Sequence, residues 1–369
     1  MIWLLLFTLT GLAVLWPMLP AILEWARPTD VTPLQIDTLD TLDPPCLARS
    51  FALRLAAALA QGEKRLGRSE IAEGASNATW PLNASEQETA TSRRVWHTRG
   101  DACLPPDVNF LAEVSAQGSL RTAAGRVYRA LWAGGALELA PGSQVLRWAH
   151  GAQVDVGSAC RLTGRVSADK SITVHSDTAF TLLHAPTVRF LPAVTDEITE
   201  THQISWIGLP DAVKWDAAAS RGTCDGVLDI DPHCAWRGDL VCRGALSLGP
   251  GCKVHGSLKT HADLRVGAGS SITGSVIAEG RITLGAGSRV RGSVVSETVI
   301  VLGKGCVIGA PGHPATVAAP RILVAPGVRV SGTLWAGENG NSDGMAKVQE
   351  RVKPRFDALP GVLVSEVGT

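Results

Sequence analysis

The sequence predicts an all-β solenoid, and three observations support that fold class. Apolar residues open successive 18-residue units at constant spacing, at Ile230, Leu248, Val266, Leu284 and Leu302. Each unit divides into three sixes whose first and fifth positions are apolar or small, so that both point inward on a short strand. A Gly, Pro or Ala near the third position lets the backbone turn a corner. Three strands and three corners make one triangular coil, and coils about 4.8 Å apart pair in parallel.

The composition restricts the function classes. Lys and Arg together number 34, as do Asp and Glu, so the formal net charge is zero. Nucleic-acid-binding domains normally carry a clear basic excess, so nucleic acid is not expected as a partner. Hydrophobic residues make up 45% of the chain, enough for a sizeable core, and the 39 glycines suit a fold with frequent tight turns.

Residues 2–23 predict a membrane anchor. This run of 22 residues contains no charged side chain, and as a helix it would span about 33 Å, enough for a hydrocarbon core of about 30 Å. A secretory signal peptide is the alternative, but no Lys or Arg precedes the run and no A-x-A site closes it. We therefore expect a single-pass protein that contacts membrane lipid through residues 2–23. Arg27 is the only basic residue between the run and Arg49, so the positive-inside rule leaves the side of the membrane open.

These patterns divide the chain into a transmembrane anchor (1–25), a linker plus a small helix-containing region (26–110), a first β-helix block (111–190), an inter-block segment (191–223), a regular β-helix block (224–336) and a C-terminal cap or tail (337–369). In the second segment, apolar residues at Leu47, Phe51, Leu55 and Leu59 predict an amphipathic helix over residues 46–66. The polar stretch 67–92 is predicted as loop. Residues 191–223 are either an excursion from one continuous solenoid, which we favour, or a true break.

Residues 282–309, ITLGAGSRVRGSVVSETVIVLGKGCVIG, resemble the repeat of bactofilins, which are polymer-forming cytoskeletal proteins of bacteria. The element G-[AP]-G-x-x-[VI]-x-G-[ST] occurs at residues 249–257, 267–275 and 285–293. The resemblance is strong over 230–335, weaker over 111–190 and absent from the anchor and from 26–105. It implies a right-handed β-helix that assembles end to end into non-polar filaments without nucleotide, on the cytoplasmic side of the inner membrane.

The chain departs from the simple bactofilin pattern by its membrane run, its extra region before the solenoid and its interrupted repeat. These departures favour local assembly over free filaments. The expected function is a membrane-anchored, bactofilin-like scaffold that self-associates through its β-helix and positions cell-envelope machinery. The expected partners are other copies of the chain, membrane lipid and an envelope-biogenesis membrane complex.

A hexapeptide-repeat enzyme, either an acyltransferase or a γ-type carbonic anhydrase, is the alternative. Such enzymes have left-handed coils, and the sixfold register suits that hand at least as well. Their chemistry needs a catalytic His at a coil interface or three His around zinc. His255 and His261 are predicted on adjacent faces of one coil and do not converge, His233 sits near a corner, and His313 lies in an insertion loop. We therefore expect a non-enzymatic protein without cofactor or metal.

Outward-pointing β-branched residues mark a candidate partner surface. On one face, the sixth position of the six in successive coils is Val241, Lys259, Ile277 and Val295, with Val301 and Val307 on the next two faces. Exposed apolar residues in a ladder predict contact with another subunit, although β-propensity alone would also place them there. A solenoid end near Trp335 and Phe356 is a second candidate.

The repeat also sorts the eight cysteines. Six fall at inward positions of the solenoid and are predicted to be small core residues: Cys160, Cys224, Cys234, Cys242, Cys252 and Cys306. Cys46 and Cys103 lie outside the repeat. If they form a disulfide, the body of the protein is periplasmic. If both are free thiols, the cytoplasmic side implied by the bactofilin resemblance is favoured.

Overall fold

The computed structural model describes residues 2–26, 43–74, 80–192, 205–206 and 210–342, and it divides at residue 43 into two units. The first unit contains helix α1 (Ile2–Ala26). Within the described residues, no helix meets the length and hydropathy expected of a membrane-crossing segment. The transmembrane anchor therefore stays a prediction from the sequence.

The second unit begins with helix α2 (Cys46–Ala60) and contains the short helix α3 (Ala84–Thr89). The strands of its first block are β1 (Arg65–Leu66), β2 (Ser69–Glu73), β3 (Thr91–Ser92), β4 (Val95–Thr98), β5 (Ala102–Cys103), β6 (Asn109–Ala116), β7 (Leu120–Arg121), β8 (Val127–Ala133), β9 (Ala136–Leu139), β10 (Gln144–Val156), β11 (Arg161–Val174) and β12 (Ala179–Phe190).

The strands of the second block are β13 (Ser205–Trp206), β14 (Lys214–Asp216), β15 (Arg221–Cys224), β16 (Leu228–Ile230), β17 (Cys234–Arg237), β18 (Asp239–Cys242), β19 (Leu246–Leu248), β20 (Lys253–His255), β21 (Leu258–Thr260), β22 (Leu264–Val266), β23 (Ser271–Ile272), β24 (Val276–Ala278), β25 (Ile282–Leu284), β26 (Arg289–Val290), β27 (Val294–Ser296), β28 (Val299–Leu302), β29 (Val307–Ile308), β30 (Ala315–Val324) and β31 (Arg329–Asn341).

These strands stack into a β-solenoid of about 13 turns with about 18 residues per coil, which confirms the predicted solenoid. In the regular part of the second block, parallel partners are 18 residues apart, as in Leu240↔Leu258 and Val276↔Val294. Inward residues of successive coils lie on top of one another and form one continuous core, whose members occur along the chain from Ala72 to Ala336. Burial of these stacked side chains stabilises each coil through its neighbours.

Glycines in left-handed backbone form the predicted corners. Gly251, Gly269, Gly287 and Gly305 repeat every 18 residues with φ between 66° and 71°. A residue with a side chain pays a conformational cost in this region, which explains why glycine recurs there. The small residues of the sequence repeat therefore act as corners, as the pattern predicts.

The two blocks meet through their C-terminal coils, and there the chain direction reverses. Strand β12 pairs with β31 in antiparallel fashion, with Leu183 opposite Leu334 and Val188 opposite Val330. Gly340 lies against the ring of Phe180, where a Cβ atom would come within 2.3 Å of the ring. The blocks thus form one uninterrupted stack with a tail-to-tail junction, a topology different from both the excursion and the break considered from sequence.

Extra strands and side chains cover the outer ends of this stack. At the first block, β1 pairs antiparallel with β2. The ring centroids of Trp80 and Trp96 are 5.0 Å apart, and Trp80 Nε1 donates a hydrogen bond to the Cys103 carbonyl at 2.6 Å. At the second block, β14 pairs with β15 and β13 with β17. The remaining outer strand, β16, presents an exposed Asp229, and charged residues discourage edge pairing.

The region before the solenoid differs from the sequence expectation. Helix α2 ends at Ala60 rather than at residue 66, because Gly62 adopts the left-handed backbone conformation with φ of 69° directly after the C-cap residue Gln61. Stretch 67–92, expected to be loop, contains β2, α3 and β3. Coil stacking is established at β4, where Trp96 pairs with Val114, so it begins upstream of residue 111.

Candidate self-association surface

An outward column of residues runs along one face of the solenoid. In the second block its members are Val241, Lys259, Ile277 and Val295, each in register with the next. The column continues through Ala318 and Trp335 and crosses the junction to Leu182. Ile277 is 39% exposed and Trp335 56% exposed. The sequence predicted the first part of this column, and the structure extends it over both blocks.

Helix α2 covers the same column in the first block. There the column passes through Trp148 and Ala130, and both residues are buried with the α2 residues Ala48, Phe51 and Leu55 in a separate apolar cluster. The rings of Phe51 and Trp148 are 5.3 Å apart. The column is therefore helix-covered in the first block and bare in the second. We call the bare part, centred on strands β18, β21, β24 and β27, the ladder face.

The other predicted surface residues do not share this face. Val301 pairs with Thr283 and Leu323 on another face and is buried. Val307 is half-buried beside Arg289 on the third face. Trp335 was expected at a solenoid end, but it lies at the internal junction, because β31 stacks on β12 instead of terminating the stack. Phe356 lies outside the described residues.

A charged column flanks the apolar one on the ladder face, and the sequence reading missed it. It consists of Arg243, His261, Glu279 and Glu297, each directly after an inward residue at the end of its strand. Arg243 and His261 lie in the two coils farther from the β12–β31 junction, and Glu279 and Glu297 lie in the two coils nearer to it. His261 Nδ1 lies 2.5 Å from Glu279 Oε1, and Arg243 Nε lies 3.6 Å from Asp225. The constant 18-residue spacing could have revealed this column.

A cavity of about 300 Å³ beside the first block is lined by Glu73, Gly74, His97, Arg99 and Gly100. His97 is buried, its Nδ1 lies 3.3 Å from Ser115 Oγ, and its Nε2 has no hydrogen-bond partner among the described residues. Burial lowers the pKa of His97 despite the Glu73 carboxylate, so its imidazole is neutral at pH 7. Ser115 is buried, so this cavity does not present a hydroxyl nucleophile to solvent.

The histidines named from sequence do not assemble a reactive site. His255 lies on β20, His261 is paired with Glu279, His233 sits at a corner with φ of 61°, and His313 is exposed in a loop. In the part of the chain that the structure describes, no cluster of three His, Cys, Asp or Glu is placed to bind a metal.

The six solenoid cysteines are buried core residues, as predicted. Cys252 and Cys306 flank Ser270 and Ser288 in one inward column, and the serine hydroxyls donate to the Gly249 and Gly267 carbonyls at 3.2 and 3.1 Å. Burial raises the pKa of Cys242 to about 12 and that of Cys306 to about 11. Such thiols carry little thiolate near neutral pH and are poor nucleophiles.

Of the two alternatives left open for Cys46 and Cys103, the structure has free thiols. Cys46 begins α2 and is half-buried, with Arg165 Nη1 at 3.7 Å from its sulfur. Cys103 lies on β5 and is exposed.

We expect only Cys46 and Cys103 of the eight thiols to react with Ellman's reagent in the native protein at pH 8. The other six are buried in the solenoid core, where the reagent does not reach them, so they should react only after denaturant is added. Replacing Cys46 and Cys103 by serine should remove the native reaction. Rapid reaction of more than two thiols would show that at least one coil of the solenoid opens in the native protein.

In comparisons with known proteins, no family model, no curated protein and no solved structure matched this chain. The assignment of function therefore depends on the residues themselves.

Proposed function

We propose that this chain is a non-enzymatic scaffold, held at a membrane by residues 2–23, that self-associates laterally through the ladder face. One observation supports it above the others: a single outward column spans both blocks, and α2 covers only the half in the first block. A bare apolar column of this kind is typical of a contact surface, because burying it removes apolar area from water.

The covered ends favour lateral over end-to-end assembly. The C-terminal coils of both blocks are paired with each other at the junction, and the outer coils carry the antiparallel strands β1 and β14. End-to-end growth needs open strand edges, which such coverings block. We therefore propose discrete lateral oligomers in place of long filaments.

The remaining parts of the proposal rest on the sequence. The repeat over residues 282–309 supports a bactofilin-like scaffold with right-handed coils and an association with cell-envelope machinery. The uncharged run at residues 2–23 supports attachment to the bacterial inner membrane. Fractionation of cells expressing the full chain, with and without residues 2–23, tests that attachment.

We expect the double variant Ile277→Lys and Val295→Lys to weaken self-association at least tenfold. Two cations placed in the apolar column would have to be desolvated on contact, which is costly for unpaired charges. Sedimentation velocity of the full chain in detergent over a concentration series measures the change.

The matched control is Ser247→Lys with Thr283→Lys, which adds the same charges at outward positions of β19 and β25 on another face. This control should sediment like the unmodified chain. Equal sedimentation of the ladder-face variant and the unmodified chain would overturn lateral association through this face.

A further inference from the structure

We propose that two copies of this chain pair through the ladder face in antiparallel orientation. The two copies are related by a two-fold axis that lies in the plane of contact and runs perpendicular to the long axis of the solenoid. It passes between the coil of Lys259 and the coil of Ile277. This inference rests on the proposed function, which supplies the face and leaves the arrangement of the two copies open.

The charged column favours this arrangement. The axis sets Arg243 of one copy opposite Glu297 of the second copy, and His261 opposite Glu279, and each contact occurs twice by symmetry. Glu297 has no ion-pair partner among the described residues, whereas Arg243 has only an exposed contact with Asp225. Complementary charges across an interface fix its register.

A parallel pair offers less of this complementarity. In a parallel pair the two-fold axis runs along the solenoid. Each residue of the apolar column then meets the same residue of the second copy, so Lys259 faces Lys259. The charged column then meets the opposite flank of the face, which consists of Asp239, Ser257, Ser275 and Ser293. Arg243 faces Asp239 there, but both glutamates face serines and gain no opposite charge. Like charges opposed across strands are destabilising, so the antiparallel pair is favoured.

In the antiparallel pair, the two-fold axis also brings the apolar columns of the two copies together along their whole length. Val241 meets Val295 of the second copy, and Lys259 meets Ile277 with Glu279 beside it. The column extends outward through Thr223 to Lys214, in register across β15 and β14. Lys214 therefore falls opposite Trp335 of the second copy. An ammonium over an indole ring is a favourable cation–π contact.

Helix α2 sets the end of the contact. It begins at Cys46 beside Arg165, one strand beyond Leu182 in the column, and a helix rises about 10 Å above the face that it covers. The column from Lys214 to Trp335 leaves a strip about 34 Å long and about 16 Å wide. A pair would bury about 1,100 Å² in total, at the lower limit of a specific interface. We therefore expect a dimer of moderate affinity.

A charge exchange between Arg243 and Glu297 tests the arrangement. Either Glu297→Arg or Arg243→Glu alone places like charges together at both symmetric contacts and should weaken dimerisation about tenfold. The full chain carrying both substitutions restores opposite charges and should regain most of the affinity. A doubly exchanged chain as weak as the two single variants would overturn antiparallel pairing.

Cross-linking gives a second readout, in full chains whose Cys46 and Cys103 are replaced by serine. A mixture of a Val241→Cys chain and a Val295→Cys chain should form a disulfide dimer under mild oxidation, whereas each chain alone should not. In a parallel pair each chain alone would cross-link and the mixture would add nothing. If the chains self-associate but form no mixed cross-link, the antiparallel arrangement is overturned and the proposed function stands. If the unmodified chain does not self-associate at all, both are overturned.

Discussion

Replacing Leu183 and Leu334 by alanine, singly and together, should reveal an energetic coupling between residues far apart in the sequence. Both side chains are fully buried and face each other across the junction of β12 and β31. Each single change should lower the free energy of unfolding by about 2–5 kcal/mol through lost burial and the cavity that remains. Because the two side chains are neighbours across the junction, the loss of unfolding free energy in the double variant should differ from the sum of the two single losses by about 0.5–3 kcal/mol. Denaturant unfolding of the full chain measures all three values.

The control pair is Leu183→Ala with Leu258→Ala. Leu258 occupies the same inward column but lies five strands beyond Leu183, about 24 Å away along the solenoid. Changes at separate sites should add within about 0.5 kcal/mol. Strict additivity of Leu183→Ala with Leu334→Ala would show that the two blocks do not meet tail to tail.

The coils of the second block could be predicted because their spacing is constant. Leu248, Val266 and Leu284 stand 18 residues apart and occupy equivalent inward positions in β19, β22 and β25. The cysteines follow the same rule, since Cys252 replaces the serine found at Ser270 and Ser288. In such a repeat, one coil determines the environment of the next.

The tail-to-tail junction could not be predicted, because strand alternation looks the same when read in either direction. Strand β31 alternates Leu334 and Ala336 inward with Trp335 outward, which suits a parallel or an antiparallel neighbour equally. The choice depends on long-range contacts such as Phe180 on Gly340. From the sequence alone, Trp335 is therefore expected at an end of the solenoid. Only the fold shows that it lies in the same column as Ile277.

The cover on the first block was only partly predictable. The apolar spacing of Phe51 and Leu55 indicated a helix, and α2 buries both residues. Nothing in that spacing identifies Trp148 and Ala130 as the surface beneath it, because they are distant in the chain. The ladder face is recognisable only once the covered and bare halves of one column are compared.

Replacing Glu86 by alanine should destabilise the outer end of the first block by about 1–3 kcal/mol, because it removes the charge-assisted hydrogen bonds that Glu86 accepts from the half-buried Arg94 guanidinium. Glu86 lies in α3 and is 5% exposed. Its carboxylate accepts hydrogen bonds from Arg94, from Ser92 Oγ at 2.5 Å and from the Asn83 backbone at 3.0 Å. Thermal and denaturant unfolding measure the loss, and Glu88→Ala on the exposed side of α3 is the control, expected within about 0.5 kcal/mol of the unmodified chain.

The same cluster predicts the direction of acid sensitivity. Burial alone would raise the pKa of Glu86, but hydrogen bonds from Arg94, Ser92 and the Asn83 backbone outweigh it and lower the pKa below its usual value. A carboxylate whose pKa is lowered by folding contributes stability that is present above its unfolded pKa of about 4.3 and is lost as the pH falls through the folded value. Glu86→Ala should therefore narrow the difference between stability at pH 7 and at pH 3.

Removing both partners separates the ion pair from the packing around it. In Glu86→Met with Arg94→Met neither charge is left without its partner, so the double variant should be more stable than Glu86→Ala. Arg94 also stacks 4.7 Å from the Trp96 ring, and Met retains apolar contact there. A double variant as unstable as Glu86→Ala would mean that the hydrogen bonds that Glu86 accepts from Ser92 and Asn83, rather than the charge of Arg94, anchor α3 to the outer coil.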